Sequence, residues 1–375
     1  MTENLKMKAR MTGEGRLEMF LAAEPVPETL DENEVLIEVD AAPINPSDQG
    51  VMFGPANIAE AVNEDRDGRA LLTAPIPEAL LARVSARLGK ALPVGNEGAG
   101  TVVAAGSGAA AQALLGKTVA AMGGAMYARY CKTTAENCLA FNEGTTAVEG
   151  ASSFVNPLTA LSMVETMRME GHSALVHTAA ASNLGQMLNR ICQADDVSLV
   201  NIVRSEDQAK ILRSAGANHV CNSSDDDFLD QLTEAVAETN ATLAFDAVGG
   251  GKLANYILMA MERAQGRKAD AFSVYGSTAH KQVYLYGSLD LSPTVLTRGY
   301  GMFWGVGGWL LPPFLARIGG KRAGELRQRV ADEIGTTFAS HYTKEISLED
   351  ALQADVARAY ARKATGEKYL IRPQR

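Results

Sequence analysis

The stretch from Ala174 to Val203 constrains the fold of this chain more than any other. Ala174-Leu-Val-His177 is a short apolar run of strand character. It enters a loop of small residues, Thr178-Ala-Ala-Ala-Ser-Asn-Leu-Gly185. Beyond it, Leu184, Leu188, Ile191 and Cys192 recur at helical spacing and give one apolar face. A second apolar run, Val197–Val203, completes a strand–loop–helix–strand unit of about 30 residues, the span that a nucleotide-binding βαβ unit requires.

A tight loop of small residues lets the backbone approach a pyrophosphate, and the helix start adds N–H groups and a positive dipole end. The residues placed to do this are Ala181, Ser182, Asn183, Leu184 and Gly185. The usual fingerprint is G-x-G-x-x-G. Here only Gly185 survives, with Ala179 and Ser182 in the earlier small-residue places. The loop by itself also reads as an ordinary strand-to-helix turn of an α/β protein.

The end of the second strand discriminates between cofactors. An NAD site needs an acid there to hold the ribose 2′-hydroxyl. This chain has Val203-Arg204-Ser205, with Lys210 one turn into the next helix. Arg and Lys pair with a 2′-phosphate, so the cofactor read here is NADP(H). Ser205-Glu-Asp-Gln208 is also a capping-box pattern, which gives Ser205 a competing role as an N-cap.

The chain has 375 residues, too many for one core, so two domains are expected. A net charge of −9 repels phosphate backbones and argues against nucleic acid as a partner. Cys131, Cys138, Cys192 and Cys221 form no C-x-x-C pair and have no nearby His. No metal site is expected, and the thiols suit a reducing cytoplasm. Met1–Arg10 lacks the apolar core of a signal peptide. The uncharged run from Gly299 to Ala316 approaches membrane-span length. Its five glycines and Pro312-Pro313 make a poor helix, so a buried strand with a pocket-lining or interface loop is expected, and no membrane partner.

The first 150 residues read as mostly β, with strands at Val35–Val39, Thr101–Ala104 and Thr118–Ala121. Asn57–Lys90 is rich in Ala, Leu, Glu and Arg and reads as a helical insertion, with Pro77 opening a helix to Leu88. After Gly150, short apolar runs alternate with amphipathic helices, the signature of a parallel sheet. Strands are expected at Ala174–His177, Val197–Val203, His219–Cys221, Thr242–Phe245 and Val283–Tyr286, with helices starting near Leu184, Glu206, Asp226 and Lys252. Helices at Arg322–Phe338 and Leu348–Lys363 and a strand at Tyr369–Ile371 follow.

Several segments together resemble one family. They are Glu34-Val-Leu-Ile-Glu-Val39, Ile44-Asn-Pro-Ser-Asp48, Pro93-Val-Gly-Asn-Glu-Gly-Ala-Gly100, Asn156-Pro-Leu-Thr-Ala160, Arg204-Ser205 with Gly216-Ala-Asn-His219, and Tyr286-Gly-Ser288. The series resembles the zinc-free quinone oxidoreductases of the medium-chain dehydrogenase/reductase superfamily and covers most of the chain. The resemblance implies an α/β protein with a GroES-like β domain at both chain ends and an inserted Rossmann domain with a doubly wound parallel sheet. The implied boundaries are 1–150 (catalytic), 151–312 (NADPH-binding) and 313–375 (return to the catalytic domain). A cytoplasmic homodimer is also implied.

The superfamily's zinc enzymes carry Cys and His where this chain has Asn45 and Asn96, and asparagine is a poor zinc ligand. The implied chemistry is therefore zinc-independent hydride transfer from NADPH to a small molecule, a quinone or related conjugated carbonyl. By the resemblance, Asn45 and Asp48 lie near nicotinamide and substrate, although Asn-Pro-Ser-Asp is also strong turn chemistry. Thr159 would sit against the nicotinamide, or serve as an ordinary helix residue. Tyr286, Gly287 and Ser288 would reach the cofactor from a strand's carboxyl end, or merely end the strand. Gly50 stands where quinone-active relatives often have a Tyr, so no proton donor is identified. Met302, Phe303, Trp304 and Trp309 would suit a flat aromatic substrate or a dimer seam. Two other readings use the same cofactor: a 2-enoyl-thioester or alkenal reductase, and an NADPH-binding protein without turnover.

Overall fold

The computed structural model describes residues 3–268 and 273–375. The chain divides into two compact units, residues 1–155 with 327–375, and residues 156–326.

The first unit is built on two mainly antiparallel sheets. Its strands before the second unit are β1 (Glu3–Met11), β2 (Arg16–Pro25), β3 (Glu34–Pro43), β4 (Val62–Arg66), β5 (Arg69–Pro75), β6 (Leu92–Pro93), β7 (Glu97–Ala105), β8 (Thr118–Met122), β9 (Tyr130–Thr134) and β10 (Cys138–Ala140). One sheet runs β4-β5-β2-β1-β6. In β3, Val35, Ile37 and Val39 are buried and Glu34, Glu38 and Asp40 only partly so, the alternation of a half-covered strand. The core between the sheets holds Met19, Ile37, Met52, Val102 and Tyr127.

Residues 57–90 correct the expected helical insertion. Its middle is a hairpin, β4 and β5, with β5 paired to β2 through Met19↔Leu72 and Phe20↔Leu71. Arg66 faces Arg69 across a two-residue turn, in which Asp67 has φ 55° and Gly68 φ 77°. That is the Asp-Gly turn whose twist suits a tight hairpin. Cross-strand packing overrides the helix-favouring composition. Helical turns flank the hairpin, a 3₁₀ turn at Ile58–Glu60 before it and, after Pro77, a short turn at Glu78–Leu81 with a 3₁₀ stretch at Ala82–Arg87.

The second unit opens with most of α1 (Val155–Met169) and is organised by a parallel sheet. Its strands are β11 (Ala174–His177), β12 (Ser198–Val203), β13 (His219–Asn222), β14 (Leu243–Asp246), β15 (Lys281–Leu285) and β16 (Trp304–Gly308). Crossover helices α2 (Asn183–Ala194), α3 (Glu206–Ser214), α4 (Phe228–Thr239) and α5 (Leu253–Gly266) connect β11 through β15. The order is β13-β12-β11-β14-β15-β16 with every neighbour parallel. In a sheet of this order the direction of winding reverses between β11 and β14, and ligands bind beyond the carboxyl ends at that switch. The core under α4 and α5 includes Val176, Val200, Leu232, Ile257, Leu258 and Val283.

The uncharged run holds a strand, but β16 lies at the sheet edge and is half-buried rather than interior. The following helix, α6, starts at Leu311 and runs to Asp332, broken at Gly319 (φ 78°). Pro312 and Pro313 sit in its first turn, where a missing N–H costs nothing, so this helix begins well before the expected Arg322. The chain then adds β17 (Lys344–Ile346), α7 (Ala354–Ala361) and β18 (Tyr369–Ile371) to the first unit. Its second sheet runs β10-β8-β7-β3-β18-β17, with β9 also paired to β3.

Candidate active site

The predicted phosphate loop leaves β11 at His177. Ala179 takes φ 51°, a left-handed value that glycine adopts without strain. Ala180 N donates to Ile202 O (3.1 Å) and Ser182 N to Ala179 O (2.9 Å), which fixes the arch. Ser182 caps α2, its Oγ accepting from Gly185 N at 3.1 Å. Gly185 packs so tightly that a Cβ would stand 2.2 Å from Ala180 O. Ala181 and Leu184 are buried in the arch, while Ser182 and Asn183 are half-exposed. The Ser182 hydroxyl still has its proton to donate. An arch of small residues before a helix N-terminus suits an anion.

At the end of β12 the Arg204 backbone is held on both sides. Its N–H donates to Gln208 Oε1 (3.0 Å), and its carbonyl accepts from Ser224 Oγ (2.9 Å). The side chain is exposed. Ser205 caps α3, with Gln208 N at 3.4 Å. Gln208 reaches back to Arg204 rather than to Ser205, so the box is incomplete. The two acids of the first turn are paired within α3, Glu206 with Arg213 (2.7 Å) and Asp207 with Lys210 (3.1 Å). Exposed pairs of this kind contribute less than about 1 kcal/mol, so Lys210 is not locked in place.

The carboxyl ends of β14 and β15 are bound into one platform. Asp246, fully buried, accepts from Thr178 Oγ1 (2.7 Å), Val248 N (2.8 Å) and Gly249 N (3.2 Å). Burial raises its pKa while these donors hold it down. Tyr286 N donates to Asp246 O (3.0 Å), and Leu289 N to Ala247 O (3.1 Å). Tyr286-Gly-Ser288 is thus tied at both ends to β14 and the loop that follows it. The Tyr286 hydroxyl lies 2.7 Å from His177 Nε2. Burial drives the His177 pKa down to about 3, so the imidazole is neutral. Burial also raises the phenol of Tyr286 above its usual range.

A cleft of about 430 Å³ opens beside this platform, lined by Leu285, Tyr286, Gly287, Ser288, Gly308, Trp309, Leu310 and Pro313. Trp309 is fixed edge-on to Phe245 (5.6 Å) and by Nε1 donating to Thr166 Oγ1 (3.2 Å). Of the four side chains expected to suit an aromatic ligand, only Trp309 lines the cleft. Phe303 is exposed at the opposite end of β15, where its carbonyl accepts from Lys281 N (3.2 Å). Met302 neighbours it, bonded to Tyr275 O (2.9 Å). Thr159 is buried in α1.

In the first unit, Asn45 and Asp48 are both buried. Asp48 folds back over its own turn. Asn45 N donates to Oδ2 and Asn96 N to Oδ1, each at 2.7 Å. Burial pushes the Asp48 carboxyl up to about 7 against these donors. The turn chemistry read from Asn-Pro-Ser-Asp is thus present, and it gathers an acid cluster that the sequence did not single out. Asn45 Nδ2 donates to Glu97 Oε1 (2.7 Å), and Glu97 Oε2 accepts from Phe154 N (2.8 Å) and Val155 N (2.9 Å). Burial raises Glu97, while the Lys368 ammonium and these donors pull it back. Lys368 itself is lowered by burial to about 8 and donates to Ser152 Oγ (2.6 Å), which also accepts from Tyr342 Oη (3.0 Å). Glu97 lies within Pro93–Gly100, but nothing in its spacing marks it as bonded to Asn45. Asn96 Nδ2 is spent on Ser47 Oγ (3.1 Å). Among the described residues no group of three or more His, Cys, Asp or Glu side chains is gathered as a metal site.

No protein-family model matches the chain. Solved structures match it over its whole length. A Mesorhizobium loti protein provisionally assigned as an NADPH:quinone reductase is 26% identical, with a TM-score of 0.73 over 100% of this chain and 99% of that one. The Escherichia coli quinone oxidoreductase, solved with NADPH, is 18% identical, with a TM-score of 0.67 over 98% and 100%. A mutant enoyl thioester reductase from Candida tropicalis is 17% identical, with a TM-score of 0.65 over 99% and 100%. The chain is thus similar in structure to the quinone oxidoreductases and enoyl reductases of the medium-chain dehydrogenase/reductase superfamily, the family its motifs resemble.

Proposed function

We propose that this protein is an NADPH-dependent, zinc-independent reductase that transfers hydride to a quinone or related conjugated carbonyl. The observation that carries the reading is the end of β12, where Arg204 is exposed, its backbone is fixed, and no acid occupies the place that a ribose 2′-hydroxyl would need. The Gly185 arch would hold the pyrophosphate through Ala181–Leu184, and Arg204, Ser205 and Lys210 the 2′-phosphate. The bound dihydronicotinamide supplies the hydride. Tyr286, Gly287, Ser288 and Trp309 form a partly aromatic cleft whose volume fits a small flat ring, and Thr159 is assigned to the nicotinamide end. Asn45 and Asp48 serve the reacting end of the ligands. Asn45 and Asn96 stand where a zinc site would need Cys and His, and both amides are already committed to neighbours. The GroES-like name fits the β-rich first unit, and the Rossmann name fits the second.

We also place the protein in the cytoplasm, where its four free cysteines stay reduced. Its partner is a second copy. The outer edge of β16 carries no charge, and exposed Met302 and Leu310 flank it, so strand pairing between copies would cover it. Sedimentation of the native protein as a monomer at micromolar concentration would contradict this.

The functional test is consumption of NADPH by the purified protein with quinones, enones and enoyl thioesters in parallel. Turnover with quinones is expected. Turnover confined to enoyl thioesters would favour the other reductase reading, and NADPH binding without turnover would favour a non-catalytic role.

A further inference from the structure

Asn45 is buried to 1% exposure, and its two side-chain atoms are treated unequally. Nδ2 donates to Glu97 Oε1 at 2.7 Å, while Oδ1, also buried, has no hydrogen-bond partner. Glu97 leaves the amide little choice. Its Oε2 is occupied by two backbone N–H groups, from Phe154 and Val155, so Oε1 faces Asn45 as an acceptor. The backbone N–H of Asn45 is separately held by Asp48. Two carboxylates therefore fix one amide, one at its backbone and one at its side chain. A buried carbonyl oxygen without a donor is costly, and a ligand donor would satisfy it.

We infer that Glu97 is a positioning residue that orients Asn45 as a hydrogen-bond acceptor for an N–H or O–H group of the bound nicotinamide nucleotide. This rests on the reductase reading above. The chemistry separates cofactor from substrate. Simple quinones and enones offer only carbonyl oxygens, which accept and cannot donate. A dihydronicotinamide nucleotide offers ribose hydroxyls and a carboxamide N–H₂. Asn45 would polarise a substrate carbonyl only through Nδ2, one of whose two N–H groups is taken by Glu97, whereas its buried, unsatisfied Oδ1 calls for a donor. The ligand that offers such a donor is the cofactor.

The test is direct titration of NADPH, without substrate, against the unaltered protein, Glu97→Gln, Asn45→Ala and the double variant. In Glu97→Gln the two backbone donors still need the amide oxygen, so the new N–H₂ faces Asn45. The Asn45 amide must turn over and present a donor where an acceptor was needed. Each single variant is expected to raise the NADPH dissociation constant on the order of tenfold or more. The double variant is expected to be no weaker than Asn45→Ala, because Glu97 acts through Asn45. Additive effects in the double variant would overturn the inference, as would unchanged NADPH affinity with lowered quinone turnover. Thermal melting of each variant identifies losses that come from unfolding. An unaltered protein that binds no NADPH would refute the reductase reading itself. Normal binding by the unaltered protein and by both single variants would refute this inference alone.

Discussion

Gly185 lies so close to Ala180 that a Cβ would stand 2.2 Å from the Ala180 carbonyl oxygen, 2.6 Å from its carbonyl carbon and 2.7 Å from its Cα. All three contacts are backbone, so a side chain at 185 can be admitted only by moving the arch. Gly185→Ala is expected to destabilise the second unit by about 1–3 kcal/mol and to weaken NADPH binding beyond what that loss explains. Wild-type affinity in a folded Gly185→Ala protein would show that the arch does not hold the pyrophosphate.

Arg204 is the basic residue whose backbone is fixed at the end of β12. Arg204→Asp should raise the dissociation constant for NADPH by tenfold or more and change that for NADH little, since a charge-assisted contact to phosphate contributes about 1.5–3 kcal/mol. Equal effects on the two nucleotides, measured by fluorescence titration, would remove Arg204 from the 2′-phosphate site.

Asp48 predicts a pH dependence of stability. Its carboxyl rises from an ordinary 3.8 to about 7 in the folded protein, chiefly through burial. The folded state then holds a proton that the unfolded state has already released. This favours folding at low pH and is lost as pH rises through the window from about 4 to about 7. Between about pH 5 and about pH 8 the urea midpoint of the unaltered protein should therefore fall relative to that of Asp48→Asn, a comparison in which the opposing contribution of neutral His177 cancels. An identical pH dependence in the two proteins would mean that Asp48 does not titrate in that window.

Lys281 is fully buried and pairs with Glu262 at 2.7 Å, and its ammonium also donates to Ser277 Oγ (2.9 Å) and Ala279 O (3.0 Å). Removing one partner of such a pair strands the other. Lys281→Met should cost about 3–5 kcal/mol, read as a lower denaturation midpoint, and Lys281→Met with Glu262→Leu should recover much of it. No loss in the single variant would show that Glu262 finds solvent.

The second unit was the most legible in sequence. Ala174–His177 appears with the predicted limits, and α3 starts at the predicted Glu206. Their periodicity is local, and each helix must cover the sheet. The 57–90 segment failed because its composition favours helix while its Asp67-Gly68 turn and its pairing with β2 decide for strand. Among the candidate residues, Gly185 and Arg204 stand at the positions in the βαβ unit that the sequence implied, the start of α2 and the end of β12. Glu97 was not, because it meets Asn45 only when β7 and the turn before Asp48 are brought together across 52 positions of sequence. Trp309 was separable from Met302 and Phe303 only once β16 was known to carry them to opposite ends of a strand.

The most direct test of the central claim is the initial rate of nucleotide oxidation by the purified protein with a simple quinone, using NADPH and NADH side by side. The account predicts quinone-dependent oxidation of NADPH at a much higher kcat/KM than of NADH, with no loss after exposure to a zinc chelator. Absence of oxidation with any quinone, enone or enoyl thioester, or a preference for NADH, would contradict it.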